Sequence, residues 1–186
     1  MKETSKADCR RFNDYLFKRV FKSKGIDIGA GDDCLENGLF KDQVECECFD
    51  LKDGDAEEIN KPQIYDFVYS SNCLEHLHNP SRALANWLKI LKPNGFLIFS
   101  VSDEDLYEQG VFPSKWNEDH KWTFTIKKRA SWSFKSLNII DLISHLNVKI
   151  LRIQLVDSNY DYSLKDVDQT LKNAEAFIEV VLQKNG

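Results

Sequence analysis

The chain has 186 residues, 42% hydrophobic and 30% charged, which suits one globular domain with a sizeable core. Its net charge of −5 argues against nucleic acid as the main partner, because neutralising phosphates needs clustered Lys and Arg. No apolar run approaches the ~20 residues of a membrane helix, and Met1 to Asp8 lacks the apolar core of a signal segment, so a cytoplasmic protein with no membrane partner is expected.

Ser5 and Asp8 read as a capping box opening a first helix. In it Phe12, Leu16 and Val20 recur at i+4 as an apolar stripe, and Gly25 ends it. Gly25 to Ile28 is a short buried strand running into Gly29-Ala30-Gly31. Asp32 to Asp42 has no clear period; a short helix interrupted at Gly38 is one reading. Val44 to Phe49 is a second strand, ending at Asp50, and Ile64 to Tyr69 a third. Asn79 caps a helix with Pro80 at its first position, and Leu84, Trp87, Leu88 and Leu91 form its apolar face. After a turn at Pro93-Asn94-Gly95, Phe96 to Val101 is nearly all apolar, as in a parallel strand covered on both sides.

Asp103 to Trp122 is a long polar and aromatic loop, a kind that is often functional. Lys127-Lys128-Arg129 reads as a solvated turn. Leu137 to Leu146 is a helix with Ile140, Leu142, Ile143 and Leu146 apolar, and Val148 to Val156 and Ala176 to Leu182 are further strands. Alternating strand and helix predict a mostly parallel, doubly wound α/β sheet. The five cysteines include no C-x-x-C pair. Cys46 and Cys48 share one face of a strand, no partners of metal-site spacing are evident, and reduced, mostly buried thiols are expected.

In open α/β sheets ligands sit beyond the carboxyl ends of the strands, near the switch in strand order. Gly29 and Gly31 lie at such an end and allow a tight turn with close backbone approach to a ligand. The dinucleotide fingerprint G-x-G-x-x-G is incomplete, since position 34 is Cys, and no P-loop Lys follows. A pyrophosphate ligand, and with it a nicotinamide dehydrogenase, is disfavoured. Asp50 stands 19 residues beyond Gly31, where an acidic residue binds ribose hydroxyls.

Asp27 to Asp32, Gly54-Asp55-Ala56-Glu57, Tyr65 to Leu77 and Leu91 to Ile98 together resemble the signatures of class I S-adenosylmethionine-dependent methyltransferases. Leu74-Glu75-His76-Leu77 is similar to the hallmark of their type 11 group. Departures are Asn94 for the first Gly of the usual pair and Asp33 where many members have a third Gly. The resemblance implies a Rossmann-like seven-stranded sheet, mostly parallel with one antiparallel C-terminal strand. Residues 1–186 would form one domain: an N-terminal helix (1–23), a cofactor half (24–102), and an acceptor loop with the closing strands (103–186). Gly29 and Gly31 would lie under the methionine part of S-adenosylmethionine, and Asp27 would support that loop and offer a contact to the cofactor. Asp50 would hold the ribose, Asp55 and Ala56 the adenine, and Ser70 and Ser71 would lie beside the methionine and sulfonium. Tyr69 is read as buried in the sheet. S-adenosylhomocysteine would be the product.

Methyl transfer is a direct displacement that the protein mainly aligns, and a hydroxyl acceptor gains from a base within hydrogen-bond reach. His120, on the long loop and oriented by Asp119 or Glu118, and His76, near the expected methyl, are the candidate bases. His78 and His145 read as surface or packing residues. Asp103 is a candidate for orienting the acceptor. Asp103-Glu104-Asp105 reads as a solvated loop or helix start rather than a divalent-metal site, and no metal is expected. Val101 to Gly110 with Asn117 to Lys121 looks like a narrower subgroup associated with surface-polysaccharide synthesis in bacteria and some large viruses. That implies a small-molecule or glycan acceptor, O-methylated at a sugar hydroxyl. The alternatives are another acceptor (quinone, lipid, metabolite), or a catalytically silent module of a larger glycan-synthesis protein.

Overall fold

The computed structural model describes residues 3–186; Met1 and Lys2 of the polar N-terminal stretch lie outside them. The expected first helix is two: α1 (Glu3–Arg11) and α2 (Tyr15–Val20). Asp14 makes the break, its carboxylate accepting from the Leu16 N–H at 2.8 Å as an N-cap. The expected stripe is therefore replaced: Phe17, Val20 and Phe21 point inward, and Phe12 is 37% exposed. Ser5 and Asp8 do not cap α1. The Ser5 N–H donates to Asp33 at 3.0 Å and Asp8 accepts from the Leu39 N–H at 3.1 Å, so both fasten α1 to the loop after the first strand. Gly25 lies inside β1 (Ser23–Ile28) rather than at a helix end, under the Phe67 ring, which a Cβ there would strike.

The strands β2 (Val44–Phe49), β3 (Tyr65–Ser71), β4 (Leu91–Ser102), β7 (Val148–Val156) and β8 (Phe177–Lys184) join β1 in one sheet of order β2-β1-β3-β4-β8-β7. All are parallel except β8, which runs antiparallel to β4 and β7. The single antiparallel C-terminal strand is as expected; the count is six strands, not seven. The reason lies between β2 and β3, where residues 50–64 are mostly polar and hold neither strand nor helix. β2 is thus an edge, and the exposed Glu45 and Glu47 discourage further pairing there. A second, two-stranded sheet pairs β5 (Thr123–Thr125) with β6 (Ser136–Asn138).

The sheet is covered on both faces, as the doubly wound prediction requires. On one, α3 (Pro80–Ile90) packs Leu84, Trp87 and Leu88 against Leu97 and Phe99. On the other, Phe17 and Phe21 pack against Phe67, Tyr69, Ile98 and Val181. Each fully buried side chain of this size contributes about 1.5–3 kcal/mol. Asn79 caps α3, accepting from the Arg82 N–H at 3.0 Å. Trp87 Nε1 donates to the Ala56 carbonyl at 2.8 Å, which anchors the loop after β2 to the core. Arg11, fully buried, bonds Glu179 at 2.6 Å and Tyr69 Oη at 2.7 Å, so Tyr69 faces α1 inside the core.

Other expectations change in detail. Asp32 to Asp42 holds only a 3-10 turn at Leu35–Asn37. Asn94 takes a left-handed φ of 63° in a bulge, across which the β3–β4 register steps from Leu91 to Phe96. The helix expected over 137–146 is the short α4 (Ile139–Ile143). Asn138 starts it late by accepting from the Ile140 N–H at 2.8 Å, and Ile140 is 45% exposed rather than core. Cys34 and Cys48 form a disulfide, contrary to the expectation of free thiols throughout; Cys9, Cys46 and Cys73 are free. The turn after Gly31 brings Cys34 across to β2, a meeting that a separation of 14 residues does not announce. Among the described residues no helix is long and apolar enough to cross a membrane.

Candidate functional site

From β1 the chain crosses to β2 on one side and then to β3 on the other, so the strand order switches at β1. A cleft of about 880 Å³ opens at the carboxyl ends of these strands, where a switch point leaves a crevice. Gly29, Asp50, Asp55, Ala56 and His76, all singled out in the sequence, line it.

Gly29 (φ +76°) turns the chain over the end of β1, its N–H donating to the Phe49 carbonyl at 2.9 Å. A Cβ there would lie 2.7 Å from Cys73 Cβ, whereas one on Gly31 (φ +52°) would meet open space. Both positions carry the left-handed penalty of about 1–2 kcal/mol, but only Gly29 adds a clash. Gly29→Ala is therefore expected to lower the melting temperature further than Gly31→Ala, each kcal/mol being about 2–4 °C at this size. Equal shifts in the two variants would contradict the packing of Cys73 on Gly29.

Asp50, half-buried at the end of β2, accepts from the Leu51 N–H through Oδ1 at 2.8 Å; Oδ2 has no protein partner among the described residues. Asp55 accepts from the Glu57 N–H at 2.8 Å and is exposed on the wall. Asp27 lies beneath the loop, 1% exposed, accepting from the Leu35 N–H at 2.8 Å. Burial pushes its carboxyl up to about 7. Ser70 is buried with its hydroxyl donating to the Ile28 carbonyl at 2.8 Å, and Ser71 Oγ lies 3.1 Å from Ser100 Oγ. Gly31, Asp27, Ser70 and Ser71 thus stand behind or beside the lining, not in it.

The long loop folds back over the segment after β3. The Lys121 N–H donates to the Glu75 carbonyl (2.7 Å), Lys121 Nζ to the His76 carbonyl (2.6 Å) and Trp122 Nε1 to the Leu77 carbonyl (2.9 Å). These bonds bring both candidate histidines together, ring centroids 4.9 Å apart. The partners differ from those expected. Glu108, not Asp119 or Glu118, holds His120 Nδ1 at 2.7 Å, and Asp119 holds His76 Nδ1 at 2.9 Å. Neither Nε2 has a hydrogen-bond partner among the described residues. Burial opposes charge on His120, but the bond to Glu108 and the charges of Glu75, Glu108 and Asp119 prevail and raise its pKa above 6.5. Glu75 and Glu108 are each fully buried and each leaves Oε2 without a partner.

Asp103 does not join this group. It is 5% exposed and closes the turn after β4, accepting from the Asp105 and Leu106 N–H groups at 3.0 and 3.1 Å. Burial pushes its carboxyl up to about 6. The acidic run is not a solvated loop: Glu104 is also buried, bonded to Ser131 and Lys128, and only Asp105 is exposed. Among the described residues, one cluster has donor atoms close enough to share a metal ion: Cys34, Glu36 and Cys48, whose thiols are joined in the disulfide.

Sequence reasoning assigned no role to Phe49 and Leu51 in the cleft wall, and none individually to Asn72, Cys73 and Leu77, although these three lie in the signature Tyr65 to Leu77. His78, read as a surface or packing residue, also lines the cleft. Asn72 gains its place from a left-handed φ of 49°, which no spacing reveals.

A family model described as methyltransferase domain matches residues 1–151. No curated protein sequence matches the chain. Among solved structures, an S-adenosylmethionine-dependent methyltransferase from Clostridium acetobutylicum superposes with a TM-score of 0.62 at 13% identity, over 99% of this chain and 92% of the other. Haemonchus contortus phosphoethanolamine N-methyltransferase 2, with phosphomonomethylethanolamine and S-adenosylhomocysteine bound, gives 0.61 at 12% identity, over 97% of this chain and 52% of the other. The [4+2]-cyclase SpnF gives 0.52 at 14%, over 94% and 80%. At such identities these likenesses show the fold, which hosts more than one chemistry.

Proposed function

The chain belongs to the methyltransferase domain family, and on that premise we propose that it moves the methyl group of S-adenosylmethionine to a hydroxyl of a sugar, in a glycan or nucleotide-sugar. The carrying observation is that Gly29 and Asp50, on adjacent strand tips, open into one cleft that also contains His76.

The residues present fit this cofactor. Gly29 presents bare backbone, Asp50 Oδ2 is free to accept from ribose hydroxyls, and Asp55 with Ala56 offers an acceptor and an apolar edge to adenine. Gly31 and Ser71 would flank the methionine part. The first basic residue after Gly31 is Lys41, which suits a cation better than a pyrophosphate. When bound, S-adenosylmethionine supplies an activated methyl on a sulfonium. The chain's own contribution is alignment and proton handling. Each histidine is tied through Nδ1 to a carboxylate, which leaves Nε2 as the basic nitrogen. Such a pair suits an acceptor that must lose a proton, as a hydroxyl does.

The sign of the pH dependence follows. Only neutral His120 accepts a proton, and its raised pKa places the loss of that form above 6.5. Turnover should rise with pH through a midpoint above that value. Glu108→Gln removes a charge that favours the imidazolium and should move the midpoint to lower pH; a midpoint that stays put would remove Glu108 as the residue tuning His120. The acceptor class is tested by incubating the protein with labelled S-adenosylmethionine and panels of sugars and nucleotide-sugars, quinones and amines. Label in the sugar panel is expected, and label in the quinones or amines alone would reject the sugar acceptor.

A further inference from the structure

His78 and Lys121 belong to two cavities at once. Beyond the cofactor cleft they wall a second space of about 440 Å³, into which His120 also faces. Phe112, Pro113 and Trp122 give it aromatic and apolar surface. The indole is fixed by its bond to the Leu77 carbonyl.

The charge in this space is unlike that of the chain. The protein carries a net −5, yet the charged lining here is Lys121 and Lys135 against Glu118, with two histidines beside them. Lys121 Nζ is taken up by Asp119 at 3.2 Å and the His76 carbonyl at 2.6 Å, so Lys135 is the cation that faces a ligand. Lys135 Nζ sits 4.9 Å from the Trp122 ring centroid and has no carboxylate partner among the described residues. A cation resting on an aromatic face, without a counter-ion, is an attractive contact that leaves its charge available to a ligand.

We infer that the second cavity receives the far end of the acceptor, and that this end carries an anionic group, phosphate or carboxylate, beside a ring. This rests on the methyltransferase reading of the adjoining cleft. The ring would stack on Trp122 or Phe112, the anion would meet Lys135, and the hydroxyl to be methylated would lie toward His120 and His76. Of the sugars proposed above, those bearing a phosphate or carboxylate would then be preferred to neutral glycans.

The test uses the whole chain saturated with S-adenosylhomocysteine, titrated by calorimetry with phenyl phosphate, benzoate, phenol and benzylamine. Phenyl phosphate or benzoate should bind more tightly than phenol, and benzylamine least; the order of the first two tells phosphate from carboxylate. Lys135→Gln should weaken the anionic probe about 2- to 5-fold, the scale of an exposed ion pair, and Lys135→Glu more, with S-adenosylhomocysteine affinity unchanged in both. Phenol or benzylamine binding as tightly as the anions, or anion affinity unaltered in Lys135→Glu, would overturn the inference while leaving the cofactor assignment intact. Failure of the unmodified protein to bind S-adenosylhomocysteine would instead strike the methyltransferase reading itself.

Discussion

Replacing His120 with alanine is expected to cut turnover about 10²- to 10⁴-fold, the range of general-base catalysis, while S-adenosylmethionine affinity stays nearly unchanged. The separation of the two effects follows from geometry. His120 does not line the cofactor cleft; it faces the second cavity and meets the cleft through His76. Its loss removes a proton acceptor from the acceptor side and leaves Gly29, Asp50 and Asp55 in place. Glu108 would lose the partner of its Oε1 while Oε2 already lacks one, and an unpaired buried carboxylate destabilises a fold. Turnover is therefore measured well below the variant's own melting point. His76→Ala, measured beside it, tells the two bases apart. If His120→Ala keeps full turnover and His76→Ala does not, the base is His76; if both keep it, neither acts as one, and an acceptor that needs no base, such as an amine or thiol, replaces the hydroxyl.

Asp50→Ala is the complementary experiment. Loss of hydrogen bonds to a charged group should weaken S-adenosylmethionine binding by about 1–3 kcal/mol, roughly 5- to 150-fold in Kd. Part of any effect comes from the loop, since Asp50 Oδ1 also accepts from the Leu51 N–H. Asp50→Asn keeps an acceptor for that N–H and gives up the charge. A loss in Asn smaller than in Ala, with melting temperatures alike, assigns the difference to the ligand. Wild-type affinity in both variants would refute the ribose role.

Elements whose identity is written in local chemistry were legible. Val44–Phe49 and Val148–Val156 form as read, because apolar residues interleave with charged and polar ones at strand spacing and both stretches end at an aspartate, Asp50 and Asp157. The start of α3 was legible because Asn79-Pro80 is both cap and first-turn signal. What failed depends on distant partners. Ser5 had a choice between capping its own helix and bonding Asp33, and the fold decided it. The Cys34–Cys48 bridge depends on a turn whose path no pattern specifies.

The site shows the same division. Gly29 and Asp50 sit at strand ends, and strand ends are readable from hydrophobic patterning. That His76 and His120 would meet depended on the direction of the loop of residues 103–122. Its bonds to Glu75, His76 and Leu77 run to backbone carbonyls, which carry no side-chain signature. Glu108 as partner of His120 lay 12 residues away, while Glu118 and Asp119 were adjacent in sequence and misleading.

A crystal structure of the chain with S-adenosylhomocysteine would test the central assignment most directly. The ligand should lie across the ends of β1 and β2, ribose oxygens within hydrogen-bond distance of Asp50 and sulfur turned toward His76. Ligand bound elsewhere, or bound there with Asp50 directed away from the ribose, would contradict it.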